Sequence, residues 1–144
     1  MKKFSILILS LLLTSKLICQ TPESIIGKWT NEEKTQIIEV YKKENAYFAK
    51  LVKLNDTEAK YQFDVNNDDP NLKNRKLLGL DLWTNFVYDA YREQWKDGRI
   101  YNFKNGNSYN GKIQVEGNEL KLTGHYGFFF FLAKTQKWTR VVEK

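Results

Sequence analysis

The stretch SYNGKIQVEGNELKLTGHY, residues 108–126, decides the fold class. In its first half Tyr109, Gly111, Ile113 and Val115 alternate with Asn110, Lys112, Gln114 and Glu116. In its second half Leu120, Leu122, Gly124 and Tyr126 alternate with Lys121, Thr123 and His125. Side chains along a β-strand point to opposite faces in turn, so each half reads as a strand with one apolar and one polar face. Gly117-Asn118 between them suits a two-residue hairpin turn, because Gly and Asn tolerate the positive φ such turns demand. The stretch is one antiparallel hairpin with a core on one side and water on the other.

The same reading extends in both directions. Lys43-Glu44-Asn45 lies between QIIEVYK and AYFAKLVKL, Asp97-Gly98 follows EQW, and Asn105-Gly106 follows RIYNF. LDLWTNFVYDAYREQW fits either period, since Leu82, Phe86 and Tyr88 satisfy both; its Trp, Phe, Val and Tyr content favours strand. SIIG reads as a short helical turn before the first strand. Pro22 and Pro70 are the only prolines, and no Gly/Ser linker or repeat divides the chain. The expectation is an all-β domain, a single antiparallel up-and-down barrel of about eight strands, whose closure removes exposed edges.

The first 19 residues stand apart. Lys2 and Lys3 precede an apolar run from Phe4 to Leu13, which is about half of the roughly 20 residues a membrane-spanning helix needs. Polar TPES follows. This is the pattern of a secretory signal peptide over residues 1–19, leaving a barrel domain over 20–144 that is periplasmic or secreted. A lipoprotein acylated at Cys19 is the alternative, but Ile18 stands where a small residue is usual. Cys19 is the only cysteine, so no disulfide is expected. The net charge of +6 falls to +3 (20 basic minus 17 acidic residues) without Lys2, Lys3 and Lys16. The remaining charges are scattered, which argues against nucleic-acid binding.

Candidate chemistry is sparse. In DVNNDDPNLKNR, residues 64–75, Asp64, Asn66 and Asp68 match the start of a calcium loop. Asp69 stands where that loop needs Gly, and Arg75 where it needs a bidentate Glu, so a capped turn is the better reading. His125 is the only histidine and falls on a polar strand face; alone it makes no zinc site. Glu39, Asp81 and Glu93 have no spacing that pairs them as acid and base. No catalytic residue, metal or cofactor is therefore assigned. Aromatic residues make up 15% of the chain. Strand parity points to Tyr47, Leu51, Trp83, Tyr101 and Tyr109 as residues lining an interior site. The run Phe128, Phe129, Phe130 and Phe131 must split its rings between two faces if extended. The outward pair then suits contact with a second copy or a membrane surface.

Two terminal motifs add to this. Gly27-Lys28-Trp29 near the start and TQKWTR, residues 135–140, near the end resemble the lipocalin pattern, in which the arginine lies across the tryptophan and closes one end of the barrel. The resemblance implies that role for Gly27, Trp29 and Arg140. More widely, GKW (27–29), IIEVYKKENAYFAKLVKL (37–54), DVNNDDPNLKNRKLLGL (64–80), DGRIYNFKNGNSYNGKI (97–113) and TQKWTR resemble the bacterial family called domain of unknown function 2147. That family implies a small secreted lipocalin-like barrel with no established activity. The functional expectation is a non-enzymatic binding protein for a small apolar or amphipathic ligand. A solid barrel serving as an interaction module and an envelope enzyme are the alternatives.

Overall fold

The computed structural model describes residues 20–127 and 133–142. Phe128, Phe129, Phe130 and Phe131, with the contact expected of them, lie outside the described residues, as do residues 1–19. The strands are β1 Gly27–Asn31, β2 Gln36–Lys43, β3 Ala46–Leu54, β4 Asp81–Asp89, β5 Gln94–Asn102, β6 Asn107–Glu116, β7 Glu119–His125 and β8 Lys134–Arg140. Each pairs antiparallel with the next, and β1 pairs with β8, so the barrel is closed and up-and-down. Short 3₁₀ turns at Pro22–Ile25, Asp56–Tyr61 and Pro70–Leu72 are the helical elements among the described residues.

The hairpin of residues 108–126 forms as its pattern requires. Gly111 faces Gly124, Ile113 faces Leu122 and Val115 faces Leu120 across β6 and β7. The last two pairs enter one continuous core with Ile38, Val40, Ala49, Leu51 and Trp95. Each large apolar side chain buried there contributes about 1.5–3 kcal/mol, which ties the two-residue period directly to stability.

One turn was expected in the wrong place. Asp97-Gly98 lies inside β5, and the β4–β5 turn is made by residues 90–93. Asp89 makes that turn by accepting hydrogen bonds from the backbone N–H of Tyr91 and Arg92. Asp97 does take the positive φ (61°) its type tolerates, but it uses it for a bulge, marked by the register shift between Trp95 and Gly98. A second bulge explains the ambiguous period of β4. Asn85 has φ 59°, and the pairing with β3 slips between Tyr47↔Phe86 and Ala49↔Trp83. Trp83 and Phe86, three residues apart, are both buried as a result.

The barrel has two unlike ends. At one, Pro22–Ile25 lies across the opening, Ile25 is fully buried, and Tyr88 donates to the carbonyl of Gln20 at 2.9 Å. At the other lie the β1–β2 and β5–β6 turns and the long β3–β4 connection of residues 55–80. That connection folds back on itself through a bridge between Phe63 and Lys76, with Asp64 and Leu77 fully buried.

Candidate functional site

A cavity of about 690 Å³ opens at the end opposite Pro22–Ile25. Its apolar wall includes Trp83, Ile100, Leu122 and Trp138. Trp83 and Trp138 meet edge to face with centroids 5.3 Å apart, an arrangement favoured by the ring quadrupoles. Tyr101 and Tyr109 stand nearer the rim, and Tyr109 meets the ring of Tyr126 at 6.1 Å. The rim carries three carboxylates (Glu32, Glu33, Glu58) and three ammonium groups (Lys104, Lys134, Lys137). Glu58 is buried, and its Oε1 accepts from Lys104 Nζ at 2.8 Å. An apolar interior under a polar rim suits a ligand with one greasy end and one wet end.

Of the five residues chosen by strand parity, Trp83, Tyr101 and Tyr109 line this cavity. Tyr47 and Leu51 do not. Both are buried in the packed core, where the Tyr47 ring meets Trp95 edge to face at 6.1 Å. Parity tells inside from outside, but it carries no information on height along the barrel. Trp138, Ile100 and Leu122 were missed as wall residues; Leu122 was visible as an inward position, but nothing in its spacing set its depth.

The polar segment of residues 64–75 acts as a latch. Asp64, fully buried, accepts from Arg75 Nε at 2.8 Å, Arg75 Nη2 at 2.8 Å, Asn67 Nδ2 at 2.8 Å and the Tyr101 hydroxyl. Arg75, standing where a calcium loop needs an acid, holds the carboxylate itself. Asp69 caps the 3₁₀ turn after it by accepting from the N–H of Asn71. Because Tyr101 also lines the cavity, the latch fixes one wall of the site. Burial, and then the Asp64 carboxylate, push the Tyr101 hydroxyl up to about 12. An unfolded tyrosine releases its proton near its ordinary 10.0. Between those two values the folded state keeps a proton that the unfolded state loses, so this stabilisation is complete below about pH 10 and drains away towards about pH 12. The stability gap between wild type and Tyr101→Phe should therefore shrink across that window. Urea midpoints at stepped alkaline pH measure it, and a gap that stays constant refutes the assignment.

At the closed end the structure brings Gly27, Trp29 and Arg140 together. Trp29 pairs with Arg140 across β1 and β8, and the guanidinium lies 4.2 Å from the indole centroid. Trp29 Nε1 donates to the Ile25 carbonyl at 2.8 Å, while Arg140 donates to the carbonyls of Ile26 and Ser24. Gly27 has φ 128°, and a Cβ there would sit 3.0 Å from Arg140 Nη1, so the glycine both takes the backbone shape and leaves room for the guanidinium. Burial pulls the Arg140 guanidinium below its ordinary value.

The residues considered for catalysis do not converge on the cavity. Glu39 pairs with Lys50 at 3.0 Å, and Asp81 accepts from the Tyr41 hydroxyl at 2.9 Å. Burial, with Asp81 beside it, raises the Tyr41 hydroxyl. Glu93 sits in the β4–β5 turn, and His125 Nδ1 lies 3.0 Å from the Gly127 carbonyl oxygen. None of these lines the cavity wall.

Comparison with known proteins agrees with this architecture. Residues 27–140 match the family model described as "Uncharacterized protein conserved in bacteria (DUF2147)". Among solved structures, the chain is similar to a Helicobacter pylori protein, HP1028, described as belonging to the lipocalin family. The TM-score is 0.71 at 22% identity, covering 82% of this chain and 83% of that one. No curated protein matches.

Proposed function

Since the chain belongs to the DUF2147 family of uncharacterized bacterial proteins, which brings no activity with it, we propose a function from the site: a binding protein that holds a small apolar or amphipathic molecule. The cavity of about 690 Å³ carries this reading. It falls within the roughly 300–1,000 Å³ typical of ligand sites and combines an indole wall with a charged rim. The same cavity argues against a solid barrel acting as an interaction module. Two of the four tryptophans, Trp83 and Trp138, stand in its wall, so an occupant should change the intrinsic fluorescence. Titration with anilinonaphthalene sulfonate or dodecanoate is expected to give a saturable tryptophan response that Trp138→Phe reduces. A wild-type protein that answers neither probe ends the proposal.

The leader of residues 1–19 extends the proposal to location: the barrel works outside the cytoplasm, with a mature chain beginning at or near Gln20. Intact mass and N-terminal sequencing of the envelope fraction test this. A retained Met1 refutes export, and a diacylglycerol on Cys19 replaces the soluble form with an anchored one.

A further inference from the structure

We propose that Phe86, packed behind Trp83, holds up the floor of the cavity and limits ligand depth, so that the barrel takes a compact ring system or a medium-length acyl chain and gains nothing from a longer one. This rests on the ligand-binding reading above. The Phe86 ring is 1% exposed and lies flat against Gly98, where an added Cβ would sit 2.3 Å from its Cγ and Cδ2. It reaches on towards Gly111, where a Cβ would be 3.0 Å from Phe86 Cζ and 2.5 Å from Ile100 Cδ1. Two positions without side chains thus let one ring span β4, β5 and β6 on the inside of the barrel.

The cavity ends at this layer. Trp83 and Ile100 belong to its wall, and Phe86, with its centroid 6.5 Å from that of Trp83, does not. Beyond the ring, Tyr47 and Trp95 are buried in the packed half. From Lys104 at the rim to Ile100 is four residues of β5 and its turn, roughly 13 Å at about 3.3 Å per residue. Strand tilt makes the depth along the barrel axis smaller still. That depth admits a medium chain and stops short of an extended long-chain fatty acid. The rim offers both charge signs equally, so length and not head charge is the property this floor selects.

The test is a chain-length series, octanoate, dodecanoate and hexadecanoate, each displacing anilinonaphthalene sulfonate with tryptophan fluorescence as a second readout. Each methylene buried is worth about fourfold in affinity. In wild type, affinity should rise from octanoate to dodecanoate and then stop, with hexadecanoate bound no more tightly than dodecanoate. Phe86→Ala opens the packed half and should bind hexadecanoate at least tenfold more tightly than wild type, with octanoate unchanged within about twofold. Phe86→Leu, which keeps an apolar side chain and disturbs the core less, should show the same selective gain at about fourfold. The proposal is overturned if wild-type affinity keeps climbing through hexadecanoate at the same gain per methylene. It is also overturned if both folded variants keep the wild-type ratio of hexadecanoate to octanoate affinity. A wild type that binds no probe at all overturns the ligand-binding reading, and this inference with it, and is distinguishable from either of those results.

Discussion

Asp64→Ala should cost about 3 kcal/mol, the lower end for breaking a buried ion pair, because it strips the partner from two neutral donors and from a guanidinium that is itself 34% exposed. Asp64 has no exposed surface, and Arg75, Asn67 and Tyr101 all donate to it. The loss spreads, since the ribbon that Asp64 anchors also buries Leu77 and is held by the Leu77 N–H to Gln62 carbonyl bond at 3.0 Å. Asp64→Asn should also destabilise: it keeps the shape, but its amide nitrogen is a donor where four donor contacts converge. Urea midpoints measure both variants, and near-ultraviolet circular dichroism reports the Tyr101 environment. An Asp64→Ala midpoint within error of wild type would mean the buried charge is not holding the connection.

Trp29→Ala should cost about 3–5 kcal/mol for removing a fully buried aromatic. Its effect should exceed that of Arg140→Lys. The lysine keeps the charge but loses the planar stack, worth about 1–2 kcal/mol when desolvated, and cannot reach both Ile26 and Ser24 as the fork does. The ranking is the test: coincident midpoints for Arg140→Lys and wild type would remove the arginine from the closure, leaving Trp29 as simple core.

The inward and outward faces of β6 and β7 were legible because a two-residue period maps directly onto the sides of a sheet. Asn105-Gly106 and Gly117-Asn118 were legible because positive φ, taken by Gly106 and Gly117, selects few residue types; the turn at Lys43-Glu44-Asn45 also falls where expected, but there Glu44 takes the positive φ. The same signal misled at Asp97-Gly98, since a bulge asks for the same backbone shape as a turn. At β4, Asn85 takes its φ of 59° in the middle of a run of strand formers with no Gly or Pro beside it, so Leu82, Phe86 and Tyr88 fitted either period. The site was legible only in part. Trp83 and Tyr109 share with Tyr47 and Leu51 the property of facing inward, and what separates them is where packing stops. That boundary depends on Phe86 meeting Gly98 and Gly111, a contact among three strands that no local pattern announces. Tyr101 follows the inward Ile100 in β5 and turns to Asp64 instead, a place parity did not give it. The Asp64–Arg75 pair was within reach of sequence, because the basic residue at the twelfth place of a failed calcium loop is itself a partner for the first.

The seam between β1 and β8 also fixes how the molecule can be presented. It gathers the first and last described strands at the closed end, where Val141 N–H donates to the Lys28 carbonyl at 2.9 Å and Arg140 reaches back to Ser24. Any handle joined before Gln20 or after Val142 therefore attaches on the side away from the mouth. A barrel immobilised by either end, on a sensor chip or a bead, stands with its cavity facing the solution, and both attachment points are interchangeable for measuring what enters it.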